Sequence, residues 1–172
     1  MQLICFEDRF VKQLQPITYA RPAYSISCAS FQLLDWLRLL PATLTISIRN
    51  YLASMQLLDQ QLSSPDQKSL HGEEVLLVNA RLVPRVEVLT QLKTLCASAS
   101  PGVIRCRETG AVLAARLTAS QTESLALPTG STDQVAESPS PFQKAGRRAV
   151  AELESPSDSG LVKRLLEMAQ AL

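Results

Sequence analysis

The charged and polar side chains best suited to chemistry collect in two places. In the first, the apolar run Leu3-Ile4-Cys5-Phe6 passes directly into Glu7 and Asp8. Arg9 and Lys12 come close behind, and the segment Pro16-Ile17-Thr18-Tyr19-Ala20-Arg21-Pro22 ends in an Arg21-Pro22 step. The second is Asn79-Ala80-Arg81, which closes the apolar run Val75-Leu76-Leu77-Val78. Arginine presents a planar fork of donors that matches phosphate oxygens, so Arg21 and Arg81 suit a nucleotide or sugar-phosphate ligand. Asn79 carries both donors and an acceptor, enough to meet a ribose or a phosphate. Glu7 and Asp8 could hold a metal ion or accept from a base. Each residue also has a plainer reading. Arg21 could pair at the surface with Glu7 or Asp8, the carboxylates could be ordinary loop residues, Asn79 could cap its strand, and Arg81 could be solvated. Position favours chemistry, because α/β domains bind ligands in loops at the carboxyl ends of strands. The two segments share one sheet edge if the first and third strands are neighbours.

Other chemistries are excluded or disfavoured. His71 is the only histidine and no nucleophile elbow occurs, so no Ser-His-Asp set can be built. There is no Walker loop and no Gly-x-Gly-x-x-Gly. The four cysteines, Cys5, Cys28, Cys96 and Cys106, form no Cys-x-x-Cys pair, which argues against zinc and for buried free thiols in a reducing compartment. A net charge of +1 with 5% aromatic residues offers neither the field nor the stacking surface of a nucleic-acid binder. No apolar run approaches the roughly 20 residues of a membrane span. Glu7 and Asp8 interrupt the only amino-terminal apolar stretch, so a signal peptide is not expected and a cytoplasmic location is.

The elements that must position these residues can be read from periodicity. The chain has 172 residues, 46% of them apolar and 19% charged, which suits one soluble domain with a real core. Residues 2–6 lack alternation, as a strand covered on both faces does. Residues 23–28 alternate and predict an extended segment, with Pro22 holding Arg21 out of the α region. Leu33, Leu34, Leu37 and Leu40 predict a helix over 30–40, capped by Ser30 and stopped by Pro41. Residues 43–48 alternate as a second strand. A helix follows from Asn50, a candidate cap, through Leu52, Met55, Leu58 and Leu62, and residues 63–73 read as a loop. Val75 to Val78 predict the most deeply buried strand, and after Pro84 a helix carries Val88, Leu89, Leu92, Leu95 and Cys96. Residues 103–106 and 112–115 flank Glu108-Thr109-Gly110, a three-residue hairpin loop with a left-handed last position. Ser120 and Glu123 form a candidate capping box. The order predicts a three-layer, Rossmann-like α/β sheet with helices on both faces. The domain is expected over 1–127, a flexible linker over 128–159 and a short amphipathic helix over 160–172, whose stripe Leu161, Leu165, Leu166, Met168 and Leu172 suits a chain–chain contact.

Four blocks together resemble a known family. Phe6-Glu7-Asp8, Leu14 to Pro22, Ser27-Cys28-Ala29 and Val75 to Pro84 are similar to the amino-terminal part of sugar nucleotidyltransferases related to the N-acetylglucosamine-1-phosphate uridyltransferase (GlmU-like) enzymes. The resemblance covers about residues 1–118. It implies an incomplete nucleotidyltransferase-type fold that transfers a nucleotidyl group from a nucleoside triphosphate to a sugar 1-phosphate, in nucleotide-sugar biosynthesis. It implies Arg21 as the catalytic cation, with Glu7, Asp8, Arg9, Lys12, Thr18, Asn79 and Arg81 at the substrates. Magnesium is the implied cofactor of an active enzyme, yet no protein ligand for it can be identified. The chain departs from the pattern in three places. The Gly-x-Gly-Thr-Arg loop is replaced by Glu7 to Lys12. Ala29 stands where the resembling sequences usually carry glycine. The strand that carries a metal-binding Asp in characterised enzymes ends in Asn79-Ala80-Arg81. A catalytically inactive or truncated nucleotide-binding module is the alternative reading.

Overall fold

The computed structural model describes residues 1–66, 70 and 72–122. The expected linker over 128–159, the helix over 160–172, His71 and Glu123 lie outside the described residues.

Among the described residues, a five-stranded mixed sheet organises the chain. The strands are β1 (Gln2–Phe6), β2 (Thr43–Ser47), β3 (Val75–Asn79), β4 (Gly102–Arg105) and β5 (Val112–Leu117). Their order across the sheet is β2-β1-β3-β5-β4. β1 pairs in parallel with both β2 and β3, and Phe6 is opposite Ser47 on one side and Asn79 on the other. β5 runs antiparallel to β3 and to β4. The first and third strands are therefore neighbours, and the residues after β1, β2 and β3 emerge along one edge.

Strand period explains the two cores. Leu3 and Cys5 of β1, with Leu76 and Val78 of β3, face one apolar cluster, whereas Ile4, Phe6, Val75 and Leu77 face the other. Continuous apolar runs are what a strand buried on both faces requires. The first cluster takes Leu33, Leu34 and Leu37 from helix α1 (Leu33–Leu37), Leu52 from α2 (Asn50–Gln60), and Leu92 and Leu95 from α3 (Val86–Ala97). The second takes Val103, Val112, Ala115, Leu117 and Leu70. The α/β architecture expected from the alternation of strand and helix signals is present.

Several local expectations need correction. Residues 23–28 form no strand: Ala23–Ser25 is a 3-10 turn, and Cys28 meets Phe31 in an isolated bridge. The alternation there reflects a connection whose Ala23 and Tyr24 are buried. Tyr24 reaches the interior because its hydroxyl donates to Gln56 Oε1 at 2.7 Å, which satisfies both buried groups. The first α-helix is shorter than the expected 30–40: it runs only from Leu33 to Leu37, with Asp35 Oδ2 accepting from the Gln32 amide at 2.9 Å in place of a Ser30 cap. The cap of α2 is Arg49, not Asn50, and its side chain turns elsewhere. The last helix among the described residues, α4 (Ala119–Thr122), is preceded by Thr118, whose amide donates to Gln121 Oε1 at 3.0 Å. The hairpin is present with Gly110 in the expected left-handed position at φ +68°, but Cys106 and Ala111 close it through the Cys106 amide on the Ala111 carbonyl at 2.8 Å, so the loop spans 107–110 and is longer than the expected three residues. Ala29 also occupies the left-handed region, at φ +57°. That explains why glycine suits this position, and an alanine there pays a steric cost. Of the four cysteines, all free, Cys5 and Cys96 are buried while Cys28 and Cys106 are partly exposed, so the expectation of buried thiols holds for two.

Candidate anion-binding site at the carboxyl edge of the sheet

The first two residues beyond β1 are carboxylates, and both are buried: Glu7 is 0% and Asp8 2% exposed. Taking two charges out of water is costly unless each is paired and hydrogen-bonded. The neighbouring strands supply one arginine apiece. Arg49, two residues beyond β2, donates from Nε to Glu7 Oε2 at 2.9 Å and from Nη2 to Glu7 Oε1 at 3.2 Å. Arg81, two residues beyond β3, donates from Nε to Asp8 Oδ1 at 2.7 Å and from Nη2 to Asp8 Oδ2 at 2.6 Å. The two forks are a direct consequence of sheet order: β1 is flanked by β2 and β3 in parallel, so all three chains leave the sheet together.

Each carboxylate has further donors. Glu7 Oε1 accepts from the Ala23 amide at 2.9 Å, and Oε2 from the Arg49 amide at 3.3 Å. Asp8 Oδ1 caps the 3-10 turn Arg9–Leu14 through the Phe10 amide at 3.1 Å, and Oδ2 accepts from Asn79 Nδ2 at 2.9 Å. Asn79, 1% exposed, also donates to the Val112 carbonyl at 3.3 Å and accepts from the Arg81 amide at 2.9 Å. Among the described residues no buried side-chain polar atom lacks a partner. Burial beside Glu7 raises the Cys5 thiol far above its ordinary range, with desolvation the larger cause and the Glu7 charge the smaller. Tyr24 is raised mainly by desolvation as well, with Cys5 and Glu7 adding to it.

The structure sorts the expected site residues into groups. Glu7, Asp8, Asn79 and Arg81 form one buried network whose bonding capacity is spent within the protein. Arg21 does not pair with Glu7 or Asp8, because Arg49 and Arg81 occupy those positions. Its side chain is exposed, as is that of Lys12, and neither makes a hydrogen bond or ion pair among the described residues. Thr18 is fully buried and its hydroxyl donates to the Val11 carbonyl at 3.4 Å, so it ties the loop to the 3-10 turn. Arg9 and Arg81 lie over the Phe10 ring, at 4.9 and 5.3 Å from its centroid. Sequence reasoning missed Arg49. The signal was available: Ile48-Arg49 leaves β2 as Ala80-Arg81 leaves β3.

The donor set does not fit a magnesium ion held by the protein. All four oxygens of Glu7 and Asp8 already accept from guanidinium groups, and an arginine beside each would repel a cation. Among the described residues no group of three or more His, Cys, Asp or Glu side chains is arranged to hold one. The carboxylates are matched one for one by Arg49 and Arg81, and the chain that follows β1 also carries the exposed cations Lys12 and Arg21, side chains suited to an anion. No helix among the described residues is long and apolar enough to cross a membrane. A protein-family model described as sugar nucleotidyl transferase matches residues 3–152. Neither a search of curated proteins nor one of solved structures returned a match.

Proposed function

Because the chain belongs to the sugar nucleotidyl transferase family, we propose that its sheet edge binds a nucleoside triphosphate and a sugar 1-phosphate, in the manner of the GlmU-like relatives. The observation that carries the reading is the exposed Arg21 side chain, without a hydrogen bond or ion pair among the described residues, in a loop whose backbone is tied to the Glu7–Arg49 pair. In the reaction, a phosphate oxygen of the sugar 1-phosphate attacks the α-phosphorus of the triphosphate and pyrophosphate departs. Arg21, with Arg9 and Lys12 nearby in sequence, stabilises the charge on the phosphoryl oxygens, so binding and electrostatics supply the rate. Asp8, Asn79 and Arg81 set the shape of the edge, and Glu7 and Thr18 fix the loop. Magnesium enters this reading only with the nucleotide, as part of the substrate.

The test is pyrophosphate release by folded protein with a panel of nucleoside triphosphates and sugar 1-phosphates, run beside calorimetric titration of the nucleotides. Activity that falls with Arg21→Ala supports the enzyme. No release and no binding by folded protein would end the proposal. A second reading is a nucleotide-binding module without catalysis. It is supported by the engagement of both buried carboxylates by arginine, which leaves neither free as a base or a metal ligand. Binding without pyrophosphate release would select it.

A further inference from the structure

We infer that Arg49 and Tyr51 are positioning residues for Arg21. This rests on the reading above, in which Arg21 meets the phosphate. The loop over residues 15–22 has little secondary structure to hold it. Its early part is anchored by the Tyr19 amide on the Pro16 carbonyl at 3.1 Å and by Thr18 on Val11. Over Tyr19 to Arg21 the side-chain anchors come from across the sheet edge. Tyr51 donates its hydroxyl to the Tyr19 carbonyl at 3.1 Å. Arg49 donates from Nη2 to the Arg21 carbonyl at 3.0 Å, while Glu7 receives the Ala23 amide. Arg49 also donates from Nη1 to the Tyr51 oxygen at 2.6 Å, and its guanidinium lies 5.3 Å from the Tyr51 ring centroid. One buried carboxylate therefore fixes one guanidinium, which fixes both the Arg21 backbone and the phenol that holds Tyr19.

Tyr51 is 61% exposed, an unusual place for a ring held at its hydroxyl and its face. An exposed tyrosine adds little to a core, so its ordered position points to the loop it touches. The consequence is preorganisation. A loop already fixed does not pay its ordering entropy when an anion binds, whereas a loosened one does.

The experiment is calorimetric titration of the full chain with inorganic tripolyphosphate and with UTP, for the wild type, Tyr51→Phe, Arg49→Lys, Arg21→Ala and the Tyr51→Phe/Arg21→Ala double variant. Losing one anchoring hydrogen bond in Tyr51→Phe is expected to weaken tripolyphosphate binding about 3- to 10-fold. Arg49→Lys, which keeps the charge but loses the fork, is expected to weaken it about 10-fold or more. The losses in the double variant should be less than multiplicative, because Tyr51 acts through Arg21. A merely structural role would lower thermal stability and leave the two losses independent. If Arg49→Lys fails to fold, the surface substitution Tyr51→Phe still decides. Arg21→Ala abolishing binding while Tyr51→Phe leaves it unchanged overturns the positioning role alone. Wild-type protein that binds neither probe, or binds them equally well without Arg21, overturns the underlying reading and this inference with it.

Discussion

Removing the arginine of the Asp8–Arg81 pair should be among the most destabilising single changes at the sheet edge. In Arg81→Met the alkyl stem is retained and the fork is lost. Asp8, 2% exposed, would keep the Phe10 amide and Asn79 Nδ2 but lose its donors at 2.7 and 2.6 Å. A hydrogen bond to a charged group contributes about 1.5–3 kcal/mol, and breaking a buried pair from one side costs about 3–5 kcal/mol. Arg81 is 24% exposed, so water can partly replace it, and the lower end applies, about 3 kcal/mol. For a domain of this size that corresponds to a fall in Tm of roughly 10 °C, within the total stability of about 5–15 kcal/mol expected for a folded domain. The assay is urea unfolding of four proteins: wild type, Arg81→Met, Asp8→Asn and the double variant. Without its charge, residue 8 no longer needs the guanidinium, so the double variant should be more stable than the sum of the singles by at least about 1.5 kcal/mol. The reasoning is refuted if Arg81→Met costs less than about 1 kcal/mol, or if the singles simply add.

Three other expectations come from separate parts of the molecule. Ala29→Gly should raise stability by about 0.5–1 kcal/mol, since it relieves a left-handed alanine at φ +57° against the entropy that glycine adds to the unfolded chain; a thermal melt that falls would refute it. Cys106 has its thiol lowered by hydrogen bonds from the Thr109 side chain and backbone, so among Cys5, Cys28, Cys96 and Cys106 it should alkylate first at neutral pH, Thr109→Val should slow it, and Cys5 should stay protected until the protein unfolds; peptide mapping after timed iodoacetamide treatment reads all three. Cys5 and Tyr24 are raised in the folded state, which therefore holds protons that the unfolded chain releases near the ordinary values of 9.0 and 10.0. Stability from these groups is intact below pH 9 and declines as pH climbs above it, and Cys5→Ala should make that decline shallower in alkaline unfolding curves.

Much of this fold could be read in the chain because burial on both faces leaves an unmistakable run. Val75 to Val78 and Leu3 to Phe6 had to be interior strands, and Gly110 had to turn a hairpin. Tertiary context overrode local pattern elsewhere. Residues 23–28 alternate as a strand does, yet the Ala23 amide is captured by Glu7 and Tyr24 by Gln56, neither of which is near them in sequence. The position of β5 between β3 and β4 was equally hidden, since a hairpin fixes which strands pair but not which one turns inward. At the candidate site, Asp8, Asn79 and Arg81 were visible as types at strand ends, but their bonding to one another depends on β1 lying beside β3. Arg49 is less legible, because the alternation of β2 marks the strand but not the role of the residue that leaves it.

The amide of Asn79 has a consequence for how the sheet assembles. Its one nitrogen serves Asp8 after β1 and the carbonyl of Val112 in β5, two strands on opposite sides of β3. A slip of β3 by one residue would turn Asn79 to the other face and put a valine or alanine between a carboxylate and a carbonyl that both need a donor. Such a misregistered chain could still bury Val75 to Val78 well, because those residues are nearly interchangeable as apolar fillers. The polar contact therefore distinguishes states that hydrophobic burial alone leaves close in energy. It acts as a proofreading contact for the central strand and widens the gap between the native alignment and its nearest competitor.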